Sequence, residues 1–385
     1  MNENLLYNYI DDNISQLFKI REKIHKNPEL SNEERETTNS IEQFLNENDI
    51  IFNRFKDING GYVFIDCNKN ESVAYRADID ALPIEENTNC DFSSNNRGIM
   101  HACGHDIHTT IALGLCLTLE KFKTNLNTNF VIIFQPAEEN NPRGGAKDVI
   151  NEGIFEKYSI KEIYGAHCWP KYKIGDVLVK SGVQQAASNK FTVEIEGVSS
   201  HAAEPHLGTD AINIAIQFVD YAINKLRREI NPNEVCIVSI GKLISNSRYN
   251  VISNKVTLEG TIRSASFETQ QFIFRRLKNY IEFINSFYET NSVIFISDGY
   301  ESVSNNKDLV NKFNKSQQKY NDLNIISDFE TSLIAEDFYA YGKVAKSMFV
   351  FLGCGTNEPL HSDKFLPDSN LIGFGVNLFA RYFIL

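Results

Sequence analysis

The sequence predicts an α/β protein with an α+β domain inserted into it. Three observations carry that expectation. Strand-like segments alternate with a helix through the first half of the chain, and from about residue 184 the rhythm changes to β-α-β-β-α-β. The chain, at 385 residues, also exceeds the roughly 250–300 residues at which one hydrophobic core stops growing.

The opening is helical, since "LFKIREKIHKNP" places apolar residues at helical spacing and stops at Pro28. A second helix is expected from Ser31, where Ser31 and Glu34 have the spacing of a capping box. "SVAYRADIDALP", "FVIIFQPAEEN" and "EIYGAHCWP" read as strands ending in polar loops, with the helix "DIHTTIALGLCLTLEKF" between the first two. In such a sheet, functional groups gather where the loops leave the strand ends. Next come the strand "KFTVEIEG", the amphipathic helix 210–230, the strands "EVCIVSIGKLI" and "NKVTLEGTIR", the helix "ETQQFIFRRLKNYIEFINSFYE" and the strand "SVIFISDG". This is a ferredoxin-like order. The α/β pattern resumes with "SMFVFLGCG" and a last helix from Leu371. The expected layout is therefore a discontinuous α/β domain, 1–183 and 298–385, with 184–297 inserted as a lid.

Bulk properties narrow the function. A formal charge of −12 argues against nucleic acid or an anionic membrane surface as partner, since both demand clustered Lys and Arg. The seven cysteines are scattered, with no CxxC pair, which suits a reducing compartment better than a disulfide framework. "MNENLLYNYIDDNISQ" lacks a basic region followed by an apolar one, and no run approaches the ~18 apolar residues of a membrane span. A cytoplasmic location is the expectation.

The richest stretch is "MHACGHDIH", Met100–His108. Cys103 and His105 would not share a face of a regular helix. Gly104 frees the backbone between them, and Asp106 is the expected N-cap of the following helix. Thiolate and imidazole make a good zinc pair, although a buried thiol beside a hydrogen-bonded histidine would leave the same trace. In "QPAEEN", Pro136 ends the strand, so Glu138 and Glu139 escape strict in-and-out alternation. One could ligate a metal while the other takes a proton from water; a lone pair of solvated carboxylates is the plainer alternative. His167 in "GAHCWP" and His361 in "PLHSDKF" would be unremarked alone. Together these are five potential ligands on four strand-end loops.

The ordered motifs "IREKIHKNPELSNEERET", "YRADIDALPIEE", "MHACGHDIHTT", "FQPAEENNPRGGAKDVINEG", "SSHAAEPHLGTDAI", "NVISNKVTLEGTIR", "AEDF" and "PLHSDKF" resemble the aminoacylase/carboxypeptidase-type dinuclear metallopeptidases. The branch they are most similar to holds hippurate hydrolase, indoleacetyl-amino-acid hydrolases and N-acetyl-diaminopimelate deacetylases. The match runs from about residue 18 to about 366. The resemblance implies a zinc-peptidase-like catalytic domain with a lid that also dimerises. It implies two divalent ions held by Cys103, His105, Glu139, His167 and His361, with Cys103 bridging and Glu138 as general acid/base. Zinc is favoured by the thiolate, with manganese, cobalt and nickel as alternatives. Where more distant relatives carry a histidine ligand this chain has Arg76, and His105 takes over; Asp78 is expected to orient a ligand. His101 and His108 are expected to pack or hydrogen-bond rather than bind metal. The resemblance also implies that His201 polarises the scissile carbonyl, and that Asn250 and Arg263 hold the substrate's carboxylate. The chain departs from the family pattern at "YESVSNN" and at Gln184, Gln185 and Asn189, which puts substrate identity in question.

These implications amount to a metal-dependent amidohydrolase acting on an N-acyl amino acid, working as a homodimer. A dipeptidase or a biosynthetic N-acetyl-amino-acid deacetylase would use the same chemistry. Two rivals differ in class: a thiol enzyme with Cys103 as nucleophile and His105 as base, and a catalytically silent binder of acyl amino acids.

Overall fold

The computed structural model describes residues 3–385, which divide by their packing into two units. The first runs through Gln184 and resumes at Ser304–Glu330 and Asp337–Leu385; the second comprises Gln185–Val303 and Thr331–Glu336.

In the first unit, helices α1 (Glu3–Lys26) and α2 (Arg35–Glu47) precede strands β1 (Phe52–Arg54), β2 (Gly61–Ile65) and β3 (Ser72–Asp78). Helix α3 (His105–Lys121), β4 (Asn129–Gln135), the short helices α4 (Ala146–Asn151) and α5 (Ile154–Lys157), β5 (Ile160–Trp169), β6 (Asp176–Leu178) and β7 (Gly182–Gln185) follow. The second unit contributes β8 (Ala187–Glu196), α6 (Ala211–Asp220), β9 (Cys236–Ser245), β10 (Lys255–Ser264), α7 (Phe267–Tyr288) and β11 (Val293–Ile296). The chain then forms β12 (Val303–Asn305), α8 (Lys307–Gln317), β13 (Asn324–Ile326), β14 (Lys346–Gly353) and α9 (Asn370–Ile384).

The large sheet has the order β1-β2-β4-β3-β5-β14-β6-β13, and its centre, β4-β3-β5-β14, is parallel. Central parallel strands are covered on both faces, so they read as apolar runs; all seven residues of β4, "NFVIIFQ", are buried. Helices α1, α3 and α9 pack together over one core with these strands. The parallel strands release their loops at one edge, and β3, β4 and β5 all end beside residues singled out in the sequence.

The second unit has the chain order β-α-β-β-α-β and an antiparallel sheet β11-β8-β10-β9. Its own core includes Phe191, Val193, Phe218, Leu258, Ile273 and Leu277. Asp210 caps α6, accepting from the Ile212 amide, and the helix continues through a wide turn at Tyr221–Lys225 and a tight one at Leu226–Glu229.

Two local expectations need correction. Ser31 and Glu34 do not form a capping box: α2 begins at Arg35 with no side-chain cap, and both side chains face inward to other partners. Asp106 does not cap α3. The capping residue is Gly104, and Asp106 sits in the first turn, where its carboxylate binds Arg21 and His25.

Candidate metal centre

Gly104 sets the first part of the site. Its φ of +83° is one L side chains rarely adopt, and a Cβ there would meet Cys168 Sγ at 2.9 Å. The resulting turn presents Cys103 and His105 from either side of the start of α3. Beyond β4 a second turn works differently. Ala137 has φ +59°, a left-handed turn after Pro136 that takes Glu138 and Glu139 out of the in-and-out alternation of the strand. His167 lies near the end of β5, and His361 lies on the loop before α9, its amide bonded to Ala102 O at 2.9 Å.

The ligand atoms of Cys103, His105 and His167 lie within 4.8 Å of one another, as do those of Cys103, Glu139 and His361, and those of His105, Glu138 and Glu139. Cys103 is common to the first two groups. Its Sγ is 3.3 Å from His167 Nε2, whose ring donates from Nδ1 to Cys168 O at 2.7 Å. His105 donates from Nδ1 to Asp80 O at 2.9 Å, so the nitrogen it can offer to a cation is Nε2. That atom is buried with no hydrogen-bond partner, and so is Glu139 Oε1. His361 Nε2 approaches Glu139 Oε1 to 3.2 Å, an ion-pair distance without hydrogen-bond geometry. Buried polar atoms are rarely left without partners, and two of them aimed into a cluster of thiol, imidazole and carboxylate fit a divalent cation.

The electrostatics agree with that fit. Burial and the Glu139, Glu138 and Asp78 carboxylates push the Cys103 thiol well above its ordinary value. Burial opposes a charge on His105, but Asp78, Asp80 and Glu139 outweigh it and raise its pKa to about 10. The surroundings carry negative charge that cations would balance. The imidazole at hydrogen-bonding distance of Cys103 is His167 rather than His105, so the expected thiol–base pair of the rival enzyme is not assembled.

Asp78, expected to orient a ligand, makes its short bonds elsewhere: 2.6 Å to His108 Nδ1 and 2.7 Å from Arg76 Nη1. It lies 3.7 Å from His105 Nε2. Orientation of His105 falls to Asp80, a residue missed in the sequence. Asp80 Oδ1 is 3.2 Å from His105 Nδ1, and its Oδ2 accepts from Ser31 Oγ at 2.7 Å and from the Glu139 amide at 2.9 Å. Its burial favours the neutral acid, yet the His105, Ser31 and Glu139 bonds hold its pKa below the ordinary value. The signal was present in "ADIDALP", which carries two aspartates.

Arg76 is fully buried and cannot replace a ligand; its guanidinium binds Gln135, Asp78 and Asp337. Asp337, from "AEDF", also accepts from the Gly145 and Ala146 amides at 2.8 and 2.9 Å. His108 spends both nitrogens, on Asp78 and on the Cys168 amide. His101 is buried with neither ring nitrogen hydrogen-bonded, so only the packing half of its expectation stands. A separate group, His25, Glu86 and Cys90, also has ligand-like spacing. There His25 bonds both Asp106 and Glu86, which leaves it no nitrogen for a metal.

In the second unit, His201 and Asn250 are brought together: Ala202 N bonds Asn250 O at 3.1 Å, and His201 pairs with Val251. His201 Nδ1 accepts from the Ala203 amide, and the residue is exposed. Arg263 lies on β10, half-buried, with Nη1 donating to Leu333 O. Two of the departures from the family pattern have internal roles. Gln184 accepts from Asn305, and Asn189 bonds Ser297 O, Asp298 O and Gln270.

Comparison with known proteins gives the same kinship. The N-acetyldiaminopimelate deacetylase of Geobacillus thermodenitrificans is 32% identical over 97% of this chain and 98% of its own, and that of Priestia megaterium is 29% identical over 96% and 98%. A solved structure, the Bacillus subtilis YXEP protein, a dinuclear metal binding peptidase from the M20 family, superposes with a TM-score of 0.85 at 28% identity, covering 97% of this chain and 98% of that one. One from methicillin-resistant Staphylococcus aureus reaches 0.92 at 30% identity, covering both chains fully. The model of peptidase family M20/M25/M40 matches residues 74–384. Because that match spans most of the chain and both domains of the fold, the protein belongs to peptidase family M20/M25/M40.

Proposed function

We propose that the protein is a metal-dependent amidohydrolase that removes an acyl group from the amino group of an amino acid. Cys103, His105, Glu139, His167 and His361 would hold two divalent cations. The single observation that carries this reading is the convergence of five side chains from four loops, with His105 Nε2 and Glu139 Oε1 lacking hydrogen-bond partners. Cations bound there supply Lewis acidity toward water and the amide carbonyl. Glu138 takes a proton from the attacking water and passes it to the leaving amine. His201 contributes a hydrogen bond to the developing oxyanion, and Asn250 and Arg263 bind the substrate's carboxylate. N-Acetyldiaminopimelate is the first substrate to test, since relatives that match along the whole chain bear that activity in their names.

A homodimer is part of the proposal. Strand β9 is an edge strand with Ile237, Leu243 and Ile244 exposed, and Ile212, Ile216 and Ile223 are exposed on α6 and its continuation. Such an apolar edge favours pairing with a second copy. Seven unpaired cysteines favour a reducing compartment such as the cytoplasm, and no helix among the described residues is long and apolar enough to cross a membrane.

The test strips the metal and reloads separately with zinc, manganese, cobalt or nickel, then measures release of free amino acid. Substrates are N-acetyldiaminopimelate, other N-acyl amino acids and dipeptides. Release that depends on the metal is expected; no release with any ion sinks the proposal and points to a silent binder.

A further inference from the structure

The turn that leads into Glu138 and Glu139 is held from outside. Ala137 occupies the left-handed region, at φ +59°, without being glycine. A non-glycine residue persists there when its surroundings over-determine the backbone. The determinant is Glu34, far away in sequence and completely buried. Glu34 Oε1 accepts from the Ala137 amide at 2.8 Å and from the Asn32 amide at 2.9 Å. Glu34 Oε2 accepts from Asn59 Nδ2 at 3.1 Å. Next to Asn59, Gly60 packs so tightly against the end of β4 that a Cβ there would stand 2.2 Å from Phe134 O and 3.3 Å from Pro136 Cδ. Two residues beyond Ala137, Asp80 holds the Glu139 amide at 2.9 Å. Glu138 thus sits between two clamped amides, one belonging to Glu34 and the other to Asp80.

We propose that Glu34 is the positioning residue for Glu138: its hydrogen bond to the Ala137 amide places the acid/base carboxylate for proton transfer, while Asp80 independently places the ligand Glu139. The proposal rests on the reading of Glu138 given above. Its mechanism is geometric. A carboxylate displaced by about 1 Å from its reacting proton loses on the order of 10²-fold in rate. Loss of the Glu34 clamp therefore acts on turnover and leaves cation binding in place, because no ligand bonds to Glu34.

Two conservative variants separate reach from the carboxyl group itself. Glu34→Asp keeps the carboxyl group but is one methylene short of the Ala137 amide. Glu34→Gln keeps the reach and an accepting oxygen for the Ala137 amide and gives up only the Asn59 bond, while Asn59 stays held by its bond to Asn32 O at 3.0 Å. For the metal-loaded enzyme acting on an N-acetyl amino acid, Glu34→Asp is expected to lower kcat by roughly 10- to 100-fold. KM and the metal dissociation constant should stay within about threefold of wild type, and Glu34→Gln should restore kcat to within about threefold. Hydrogen–deuterium exchange of the peptide containing Ala137 reads the bond without turnover: faster in Glu34→Asp, unchanged in Glu34→Gln. Wild-type kcat in Glu34→Asp overturns the proposal, as does an equal loss in Glu34→Gln or a loss of metal parallel to the loss of rate. Should the wild-type enzyme hydrolyse nothing with any metal, the functional reading fails separately. The exchange comparison still decides the clamp, and wild-type protection in Glu34→Asp then overturns it.

Discussion

Replacing Asp80 by alanine should weaken one half of the metal centre more than the other. The carboxylate is fully buried and serves three groups, and they are not equally dependent on it. His105 Nδ1 has a second acceptor in the backbone carbonyl of residue 80 at 2.9 Å, which survives the substitution. Ser31 is part-buried and is not among the candidate ligands, so the loss of its bond leaves the ligand positions in place. The Glu139 amide belongs to a ligand residue: its 2.9 Å bond to Asp80 Oδ2, also part-buried, is lost, and an N–H left unpaired there costs up to about 1–3 kcal/mol, less where water reaches it. The turn can relieve that cost by moving Glu139 off its position. Removal of an orienting group behind a ligand typically costs 10–100-fold in metal affinity, about 1.4–2.7 kcal/mol. The expected outcome in Asp80→Ala is such a loss for the ion that depends on Glu139 and His361, with a smaller loss for the ion held by His105 and His167. Chelator-competition titration, resolving two binding steps, measures it. Equal weakening of both steps would show that His105 depends on the carboxylate, and unchanged affinity in a folded variant would remove Asp80 from the site altogether.

Glu138→Gln should lower kcat by about 10²–10⁴-fold while the protein keeps its full metal content, measured by turnover and by elemental analysis; a rate near wild type would relieve Glu138 of its role. Gly104→Ala forces a side chain into a left-handed conformation, at about 1–2 kcal/mol, and against Cys168 Sγ at 2.9 Å, so a lower melting temperature and weaker metal binding are expected together. An unchanged melting temperature would contradict the strain. His25 supplies a pH test. Burial opposes its charge, but Asp106 and Glu86 hold its pKa at about 9, against an ordinary 6.5. A raised folded-state pKa gives stability that is complete below pH 6.5 and lost as pH rises through 9, worth on the order of 3 kcal/mol. Glu86, depressed to about 2, gives stability that is lost only as pH falls from 4.5 through 2. The difference in unfolding free energy between wild type and His25→Gln should therefore be largest near pH 6 and shrink by pH 9.5; a difference constant over that range would refute the ion-pair assignment.

Much of this protein is written locally. Burial on both faces makes β4 an uninterrupted apolar run, and helical spacing makes α7 legible within a residue or so of its ends. Pro136 marks the end of a strand, and Gly104 marks a turn, because each acts through its own backbone. The candidate ligands were legible for a related reason: thiol, imidazole and carboxylate are scarce side chains, and their order along the chain resembles a family. What a side chain binds across the fold was not legible. Ser31 and Glu34 have the spacing of a helix cap, a local pattern, yet their donors and acceptors are Asp80, Asn59 and the Ala137 amide. Asp78 and Asp80 differ in sequence by one intervening isoleucine, and only packing decides that Asp80 serves His105 and Glu139 while Asp78 serves Arg76 and His108. A hydrogen bond needs its partners within about 3 Å and in line, and distances of that order between remote segments are set by the whole core rather than by either segment's residues. Composition and periodicity therefore determined the elements and the chemical inventory; the tertiary structure alone decided which carboxylate stands behind which ligand.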